Sequence, residues 1–471
     1  MDVDKKNTLF FQYTLKKLKK KLKKIFSSNK KFLLGFSGGI DSTVLLDIIS
    51  IVLKSYNSQK VQFRAHYVDH TISKNSEIWK KHCEEQCRIR SIDFVSTKIE
   101  KNPSISYSEQ KLRILRYLEF KKIIFKKEIL LTAHHLDDQV ETFFLALKRG
   151  SGTLGLSGMI KKNGLYGINI LRPMISIEKK FINEYAKKYK LRWIQDESNF
   201  DLKYDRNFLR IKILPIIRKR WKFFNQSVYR TTKICSQQEN LISSIYKKKI
   251  KSMISTKKII DIIKISSMKN FDRIAILRFW LKMNKLHISY KKIGLLWEEM
   301  ANSKKDNKCC FKIENFCIKK FKNFFYIIPF HLHSIKKKFS ILWLKNNKKI
   351  NLPMKIGKLK KSFKKKRTVY KNKKNTNNKL NIRCPKKNEK ILIKINIFPK
   401  NSIYLLKEKK KYKIKSIFQK FNIPPWERKY IPLVYYNKIL MGAVGKFATK
   451  NSKNKKSKKS LEFTWINSIQ N

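Results

Sequence analysis

The sequence predicts an α/β protein: a doubly wound parallel sheet at the N-terminus, then a helical middle domain, then a small mixed α+β C-terminal domain. Over residues 31–220, short apolar runs alternate with segments of helical periodicity, which is typical of a parallel sheet covered by helices on both faces. Nine of the 13 glycines lie between Gly35 and Gly167, so turns and ligand-binding loops are expected there. From about 221 to 335 the pattern is mainly helical.

Four strands and four helices are predicted to alternate in the first domain. The strands are the apolar runs 32–36, 61–68, 92–96 and 129–132, and the helices follow at 41–53, 76–90, 106–126 and 137–148. The carboxyl ends of parallel strands form the usual ligand-binding edge of such a sheet. Ahead of the first strand, Leu15, Leu18, Leu22 and Ile25 form an apolar stripe amid lysines. This stripe predicts an amphipathic helix, for which packing on the first domain is favoured over membrane contact.

Shifts in composition divide the chain into four segments. We place a first domain at 1–220, a mainly helical domain at 221–350, a basic linker at 351–379 and a small domain with a basic tail at 380–471. The linker is indicated by the Lys- and Asn-rich run KIGKLKKSFKKKRTVYKNKKNTNNK, for which an exposed basic face is the alternative. The last domain contains a strand-like run followed by the Pro-rich stretch IPPWERKYIPLVYY.

The charge of the chain is strongly positive. Its 471 residues include 111 basic and 33 acidic side chains, for a net charge of +78, and 93 of the basic residues are lysine. Residues 221–471 carry +54 of this charge and residues 1–220 carry +24. Two explanations stay open and can coexist: a compositional drift that converts tolerant surface positions to lysine, and a polyanionic partner bound through counterion release.

Several classes of protein are excluded by composition. The longest uncharged run, residues 323–335, has 13 residues and is too short to cross a bilayer, so an integral membrane protein is not expected. The acidic start MDVDKK does not resemble a secretory signal. Seven cysteines without framework spacing indicate reduced thiols and a cytoplasmic protein.

The sharpest motif lies between the first strand and its helix and reads SGGIDS, residues Ser37, Gly38, Gly39, Ile40, Asp41 and Ser42. Glycines at such a turn let the backbone approach a ligand, and the helix start offers N–H groups suited to phosphate. A carboxylate beside phosphate makes sense mainly through Mg²⁺, which we assign to Asp41. The alternative is a glycine turn with an acidic first helical turn. Because G-x-x-x-x-G-K-[ST] is absent from the sequence, pyrophosphate as a leaving group is favoured over γ-phosphoryl transfer.

Polar groups also gather in three later segments. Asp138 and Glu141 share a helix face after the fourth strand and could hold a cationic substrate, or simply stabilise a helix N-terminus. Arg113 and Arg116 lie on the preceding helix, where they could bind phosphate or a base, or form a surface salt bridge. The third segment, 196–210, has the composition of a capped loop–helix junction.

Together these segments resemble the motifs of known protein families. SGGIDS resembles the pyrophosphate loop of the N-type ATP pyrophosphatases, the PP-loop superfamily. With E-x-x-x-R-x-x-R-Y, T-x-H-x-x-D-D-Q-x-E-T, R-G-S-G and D-x-S-N-x-D…R-N-x-x-R, the chain closely resembles the tRNA(Ile)-lysidine synthetase family. The resemblance is dense over 31–215 and returns over 414–445. One departure is Leu112, where the family usually has a small residue.

The resemblance implies a Rossmann-like PP-loop ATPase domain and a two-step ligation. ATP would adenylate the C2 oxygen of the wobble cytidine in the CAU-anticodon isoleucine tRNA, and the ε-amine of free L-lysine would then displace AMP. The product, lysidine, changes codon reading and aminoacylation from methionine to isoleucine. The domains after residue 220 would bind tRNA, the ligands would be ATP and Mg²⁺, and a homodimer is one open alternative for the assembly.

The same resemblance implies roles for individual side chains. Residues Ser37–Ser42 would bind the ATP phosphates, with Asp41 on Mg²⁺. Arg113 and Arg116 would contact phosphate or the target base, and Asp138 with Glu141 would hold the lysine ammonium. His134 is a candidate base, and a satisfied buried histidine is the equal alternative. Two other functions stay open: another PP-loop synthetase, acting on a tRNA or a small molecule, and a basic RNA-binding protein with a decayed loop.

Overall fold

The computed structural model describes most of the chain in two compact units. The described residues are 3–29, 31–55, 61–69, 75–99, 109–159, 167–286, 288–301, 310–332, 337–344, 347–365, 378–406, 408–453 and 459–467. The units comprise 1–242 and 243–471, and the boundary falls inside one long helix. The finer division into four segments stays a prediction.

The first unit alternates strands and helices. In chain order its elements are α1 (Val3–Ser28), β1 (Lys31–Gly35), α2 (Ile40–Ser55), β2 (Gln62–Asp69), α3 (Ser76–Ile89), β3 (Asp93–Lys98), α4 (Glu109–Ile123), β4 (Ile129–Leu131), α5 (Leu136–Lys148), α6 (Thr153–Leu156), β5 (Ile170–Leu171), α7 (Lys179–Lys188), α8 (Asp205–Phe208), α9 (Leu214–Arg220) and α10 (Phe224–Lys249). A 3₁₀ turn covers Glu197–Phe200, and one π-helical turn covers Leu209–Ile213.

The sheet of this unit is parallel, with strand order β3-β2-β1-β4-β5. Along β1, Phe32 and Leu34 join the core on one face while Leu33 joins the core on the other. Both faces are therefore covered, and the predicted doubly wound sheet is confirmed. Since the chain moves outward from β1 to β3 and returns to β4, the switch point lies between β1 and β4, where ligands of such sheets bind.

The N-terminal helix α1 packs on this sheet domain. Leu18 and Leu22 are buried in the same core as α2 and α7, and Lys21 Nζ donates a hydrogen bond to the Pro173 carbonyl at 2.6 Å. Packing of the amphipathic helix on the first domain, rather than membrane contact, is therefore what the structure supports. In the described part of the chain, every helix is too short or too polar to cross a membrane.

The second unit contains helices and antiparallel sheets. Its elements are β6 (Ile254–Thr256), β7 (Ile259–Asp261), α11 (Ile262–Ser266), α12 (Asn270–Met283), α13 (Tyr290–Ala301), β8 (Phe311–Ile313), β9 (Phe316–Phe321), β10 (Phe324–Pro329), β11 (Phe339–Trp343), β12 (Lys349–Asn351), β13 (Gly357–Lys365), β14 (Lys379–Arg383), β15 (Ile391–Ile395), β16 (Ile403–Tyr404), β17 (Lys411–Tyr412), α14 (Ile414–Lys420), α15 (Pro425–Arg428), β18 (Leu433–Tyr436), β19 (Ile439–Ala443), β20 (Phe447–Ala448) and β21 (Lys459–Asn467).

These elements confirm the helical middle region and the mixed C-terminal domain, with one addition. The middle region also carries a five-stranded antiparallel sheet, β6-β7-β10-β9-β8, whose short strands the sequence pattern did not reveal. Two further sheets, β11-β15-β18-β19-β20 and β12-β13-β21-β14, form the C-terminal part. In the segment interpreted as a basic linker, residues 357–365 form strand β13, paired along its length with β21, while residues 366–377 lie outside the described residues.

Candidate active site

The SGGIDS loop joins the end of β1 to the start of α2. Gly38 has a φ of +74°, a left-handed conformation that favours glycine. The Ser42 hydroxyl donates to the Gly39 carbonyl at 2.9 Å and accepts from the Ser37 amide at 3.3 Å, so it closes the turn. From outside the loop, the Ile194 amide donates to the Gly38 carbonyl at 2.9 Å. The loop is therefore a fixed cradle at the carboxyl edge of the sheet, suited to phosphate.

A cavity of about 1110 Å³ opens over this loop. Nine of the eleven side chains and loop positions predicted as site residues line it, namely Ser37, Gly39, Ile40, Asp41, Ser42, Arg113, Arg116, His134 and Asp138. The two that do not line it are Gly38, which is turned towards Ile194, and Glu141. Residues more than 90 positions apart in sequence thus meet in one space, which is large enough for a nucleotide and part of a second substrate.

Asp41 pairs with a cation from another helix. Its Oδ1 lies 2.5 Å from Lys179 Nζ at the start of α7 and 3.6 Å from His135 Nε2. About a third of the Asp41 side chain is exposed to the cavity. The carboxylate is therefore accessible from the cavity, and it already stabilises the positive charge of Lys179.

His135 lies among three carboxylates. Its Nε2 is 3.4 Å from Asp138 Oδ2, and its Nδ1 is 3.7 Å from Asp137 Oδ2, in addition to the Asp41 contact. Burial lowers the pKa of this imidazole, but the carboxylates of Asp138, Asp137 and Asp41 outweigh burial, so its pKa is raised above the ordinary value. The ring therefore carries positive charge more readily than a free histidine and links the start of α5 to Asp41 of the phosphate loop.

His134 has the opposite environment. Its Nδ1 is 2.9 Å from the Thr132 hydroxyl, and burial lowers its pKa to about 3, so the ring is neutral at physiological pH. The neighbouring Asp138 has a lowered pKa although burial opposes this, because the His135 imidazole, the His135 amide and the Arg206 guanidinium stabilise its anion. Asp138 therefore presents a carboxylate to the cavity.

Glu141 is fully buried beneath two arginines. Its oxygens lie 2.7 Å from Arg210 Nε and 3.2 Å from Arg206 Nε. Arg210 also reaches Asp138 Oδ1 at 3.4 Å from its place in the π-helical turn. This arrangement favours Glu141 as the anchor of Arg206 and Arg210, both of which line the cavity, over direct contact with a substrate.

Arg113 and Arg116 approach from α4. Both line the cavity, and the Arg113 guanidinium lies 5.7 Å from the centre of the Tyr117 ring. The side chain of Glu109, the partner in the surface salt-bridge alternative, lies outside the described residues. The position of the two arginines at the cavity wall fits contact with an anionic ligand.

Comparisons with known proteins agree with this geometry. Residues 11–217 match the family described as PP-loop domain, and residues 398–465 match the TilS substrate C-terminal domain. A protein from Buchnera aphidicola named tRNA(Ile)-lysidine synthase is 37% identical over 461 residues, which cover 95% of this chain and 98% of that protein. Proteins of the same name from Blochmanniella pennsylvanica and Photorhabdus laumondii are 35% and 31% identical, covering 93% and 94% of this chain and 92% and 96% of their own lengths.

The chain belongs to the tRNA(Ile)-lysidine synthase family. The sequence pattern did not indicate Lys179 and His135 as site residues. It indicated Arg206 and Arg210 only as parts of a motif. The doubled histidine before two aspartates was a usable signal for His135, since a strand end followed by a helix start places both rings at the ligand edge. Lys179 had no such signal among the many lysines of the chain.

Proposed function

We propose that this chain ligates free L-lysine to C2 of the wobble cytidine in the CAU-anticodon isoleucine tRNA, giving lysidine, AMP and pyrophosphate. The observation that carries this proposal is the single cavity in which the phosphate loop, Arg113, Arg116, His134 and Asp138 meet. A loop for leaving pyrophosphate and a carboxylate for an ammonium are what adenylation followed by amine attack requires. The names of the relatives point to the same reaction.

In the first step the C2 oxygen of cytidine attacks the α-phosphorus of ATP, and pyrophosphate leaves. The loop amides and hydroxyls hold the phosphates, and Arg113 with Arg116 offsets the charge on the α-phosphate or positions the base. In the second step the lysine ε-nitrogen bonds to C2, the bond from C2 to the adenylated oxygen breaks, and AMP leaves. The overall change is the replacement of an oxygen on C2 by a nitrogen.

Asp138 is assigned to the lysine ammonium. Its lowered pKa keeps it anionic, and it faces the cavity, whereas Glu141 is occupied by Arg206 and Arg210. The ε-ammonium, whose ordinary pKa is about 10.4, must lose a proton before attack. A His134 ring with a pKa of about 3 is a weak acceptor for that proton. This favours the alternative in which His134 is a neutral hydrogen-bonding group of the cavity wall.

Mg²⁺ is assigned to Asp41. The residues fit this ion, because Asp41 lies within the phosphate loop and already attracts a cation, Lys179 Nζ. Magnesium in such sites is usually bound through one or two carboxylates together with substrate phosphates, and it neutralises charge on the leaving pyrophosphate. We expect Asp41→Asn to remove most AMP and pyrophosphate formation, whereas Asp93→Asn, at an exposed carboxylate on β3, leaves it intact. Unchanged product formation in Asp41→Asn would overturn this assignment.

One assay tests the function as a whole. The chain is incubated with unmodified CAU-anticodon isoleucine tRNA, Mg-ATP and labelled lysine, and label is measured in the tRNA. A matched tRNA with uridine at the wobble position is the control, since it lacks the target base. Label in the first tRNA alone supports the proposal. AMP release without tRNA would instead indicate a small-molecule synthetase, and the absence of both products would indicate an RNA-binding protein without catalysis.

A further inference from the structure

Two exposed aromatic rings lie in the cavity wall beyond the residues already assigned. Phe200, at the end of the 3₁₀ turn, is 60% exposed, and Tyr204, before α8, is 43% exposed. Both line the cavity over the phosphate loop. Large aromatic side chains left accessible in a cavity wall point to a ligand with a flat apolar face.

We propose that Tyr204, with Phe200 four residues before it, stacks on the cytosine base that is being modified. This inference rests on the proposed function and adds the residues that hold the target base. Bases of single-stranded RNA loops are recognised after they leave their own stack, and an aromatic side chain commonly replaces the lost stacking partner. The wobble base lies in such a loop and must expose its C2 oxygen to ATP.

Contacts of the residues after Tyr204 place it on one side of the phosphate loop. The next residue, Asp205, pairs with Lys148 of α5 at 2.8 Å, and Arg206 pairs with Glu141 of α5 at 3.2 Å. Since α5 follows β4, these contacts fix Tyr204 on the β4 side of the phosphate loop, together with Asp138. The target base must lie on that side if lysine held by Asp138 is to reach its C2 atom.

A different aromatic ring occupies the opposite side. Trp193 lines the same cavity and is 37% exposed. Its neighbour Ile194 donates its amide to the Gly38 carbonyl, and the Ile194 side chain lies with Cys83 of α3 against Gly38. Because α3 packs beside β2, Trp193 belongs to the β2 side of the loop. Exposed aromatic side chains thus lie on both sides of the loop, and cytosine on the β4 side leaves the β2 side with Trp193 for adenine.

Steady-state kinetics of lysidine formation distinguish these two regions. In Tyr204→Ala we expect kcat/KM for tRNA to fall roughly tenfold to a hundredfold, the loss typical of removing one stacking ring, with the KM for ATP unchanged. Tyr204→Phe keeps the ring and is expected to restore activity. Trp193→Ala is expected to raise the KM for ATP. Tyr13→Ala removes a 64% exposed tyrosine on α1, outside the cavity, and serves as the matched control.

A spectroscopic readout reports the stacking itself. An anticodon stem-loop carrying pyrrolocytidine at the wobble position is expected to lose fluorescence on binding the unmodified chain or Tyr204→Phe, and to lose much less with Tyr204→Ala. Thermal unfolding confirms that each variant is folded, and Phe200→Ala replaces Tyr204→Ala if the latter is not.

The outcomes separate this inference from the proposed function. If the unmodified chain makes no lysidine, the proposed function fails. If it makes lysidine but Tyr204→Ala behaves like Tyr13→Ala in both measurements, only the stacking inference is overturned. A rise in the KM for ATP alone in Tyr204→Ala would assign this ring to adenine and also overturn the inference.

Discussion

At the scale of single residues, the site pairs each carboxylate with a cation, which for Asp41 and Glu141 comes from another element. Asp41 faces Lys179, Asp138 faces His135, and Glu141 faces Arg206 and Arg210. Buried charges are tolerated only when they are paired and hydrogen-bonded. The pairing therefore compensates the carboxylates close to the place where ATP phosphates would bind, and it fixes the positions of the arginines at the cavity wall.

Glu141→Gln tests the anchor beneath the two arginines. We expect it to lower the free energy of unfolding by about 2–3 kcal/mol, because two partly buried guanidinium groups lose their anion. Asp205→Asn is the matched control: its pair with Lys148 is mostly exposed, and we expect a change below about 0.5 kcal/mol. Urea unfolding of both variants measures the difference. Equal small effects would show that Glu141 contributes no more than a surface pair.

His66 on β2 makes stability depend on pH. It is buried with Nε2 2.9 Å from the Thr97 hydroxyl, and burial lowers its pKa to about 4 from an ordinary value near 6.5. Between these values the unfolded chain binds the proton and the folded chain does not, so stability falls as pH falls from 6.5 to 4. We expect His66→Gln to reduce this loss by about 2–3 kcal/mol, measured by urea unfolding across that window.

The control for this pH prediction is His331→Gln, which changes an exposed histidine in the second unit. It is expected to follow the unmodified chain at every pH. Parallel curves for His66→Gln and the unmodified chain would show that His66 does not cause the pH dependence.

At the scale of elements, the phosphate loop depends on the loop that crosses it. A Cβ placed on Gly38 would lie 2.5 Å from Ile194 Cδ1 and 2.8 Å from Cys83 Sγ. The turn thus requires glycine for two reasons: the positive φ, and the close approach of residues from α3 and from the segment after α7. This contact explains why a loop defined by six residues needs the rest of the domain to hold its shape.

Gly38→Ala is therefore expected to destabilise the first unit by about 3 kcal/mol, since backbone strain and overlap add, and to raise the KM for ATP. Gly150→Ala is the matched control. Gly150 has a similar φ of +61° but nothing within 4 Å of the added methyl group, so only about 1 kcal/mol is expected, with ATP binding unchanged. Thermal unfolding and ATP kinetics measure both. Equal destabilisation would show that the crossing contact contributes nothing.

At the scale of the whole molecule, tRNA binding explains only part of the net charge of +78. A tRNA substrate makes a basic surface expected, especially beyond residue 220, where the net charge is +54. The 93 lysines nevertheless exceed any number of phosphates that one bound tRNA can present to a protein of this size. Most of them are therefore better explained by compositional drift, with a limited basic face responsible for binding.

Salt titration measures the size of that face. We expect the logarithm of the tRNA association constant to fall linearly with the logarithm of salt concentration, with a slope of roughly −5 to −9, as for six to ten phosphate contacts. The KM for lysine, which in the proposed assignment depends on the partly enclosed carboxylate of Asp138, is expected to change far less over the same range. A flat response of tRNA binding would contradict the electrostatic account of the charge.

The sequence by itself determined the sheet domain, the phosphate loop and the three polar segments around it. Apolar periodicity and the position of SGGIDS after a strand suffice for this, because strand–helix alternation places strand ends at one edge. It did not reveal the short strands of the middle sheet, whose runs of three to six residues resemble the ends of helices.

Only the tertiary structure decided which charges meet. Lys179 pairs with Asp41, which lies 138 positions earlier in the chain, and Glu141 is buried beneath Arg206 and Arg210. His134 and His135 are adjacent in sequence, yet their pKa values shift in opposite directions. Each of these outcomes depends on desolvation and on distances between elements far apart in the chain. Residue type and spacing carry no information about either quantity, which is why the site's composition was predictable and its electrostatics was not.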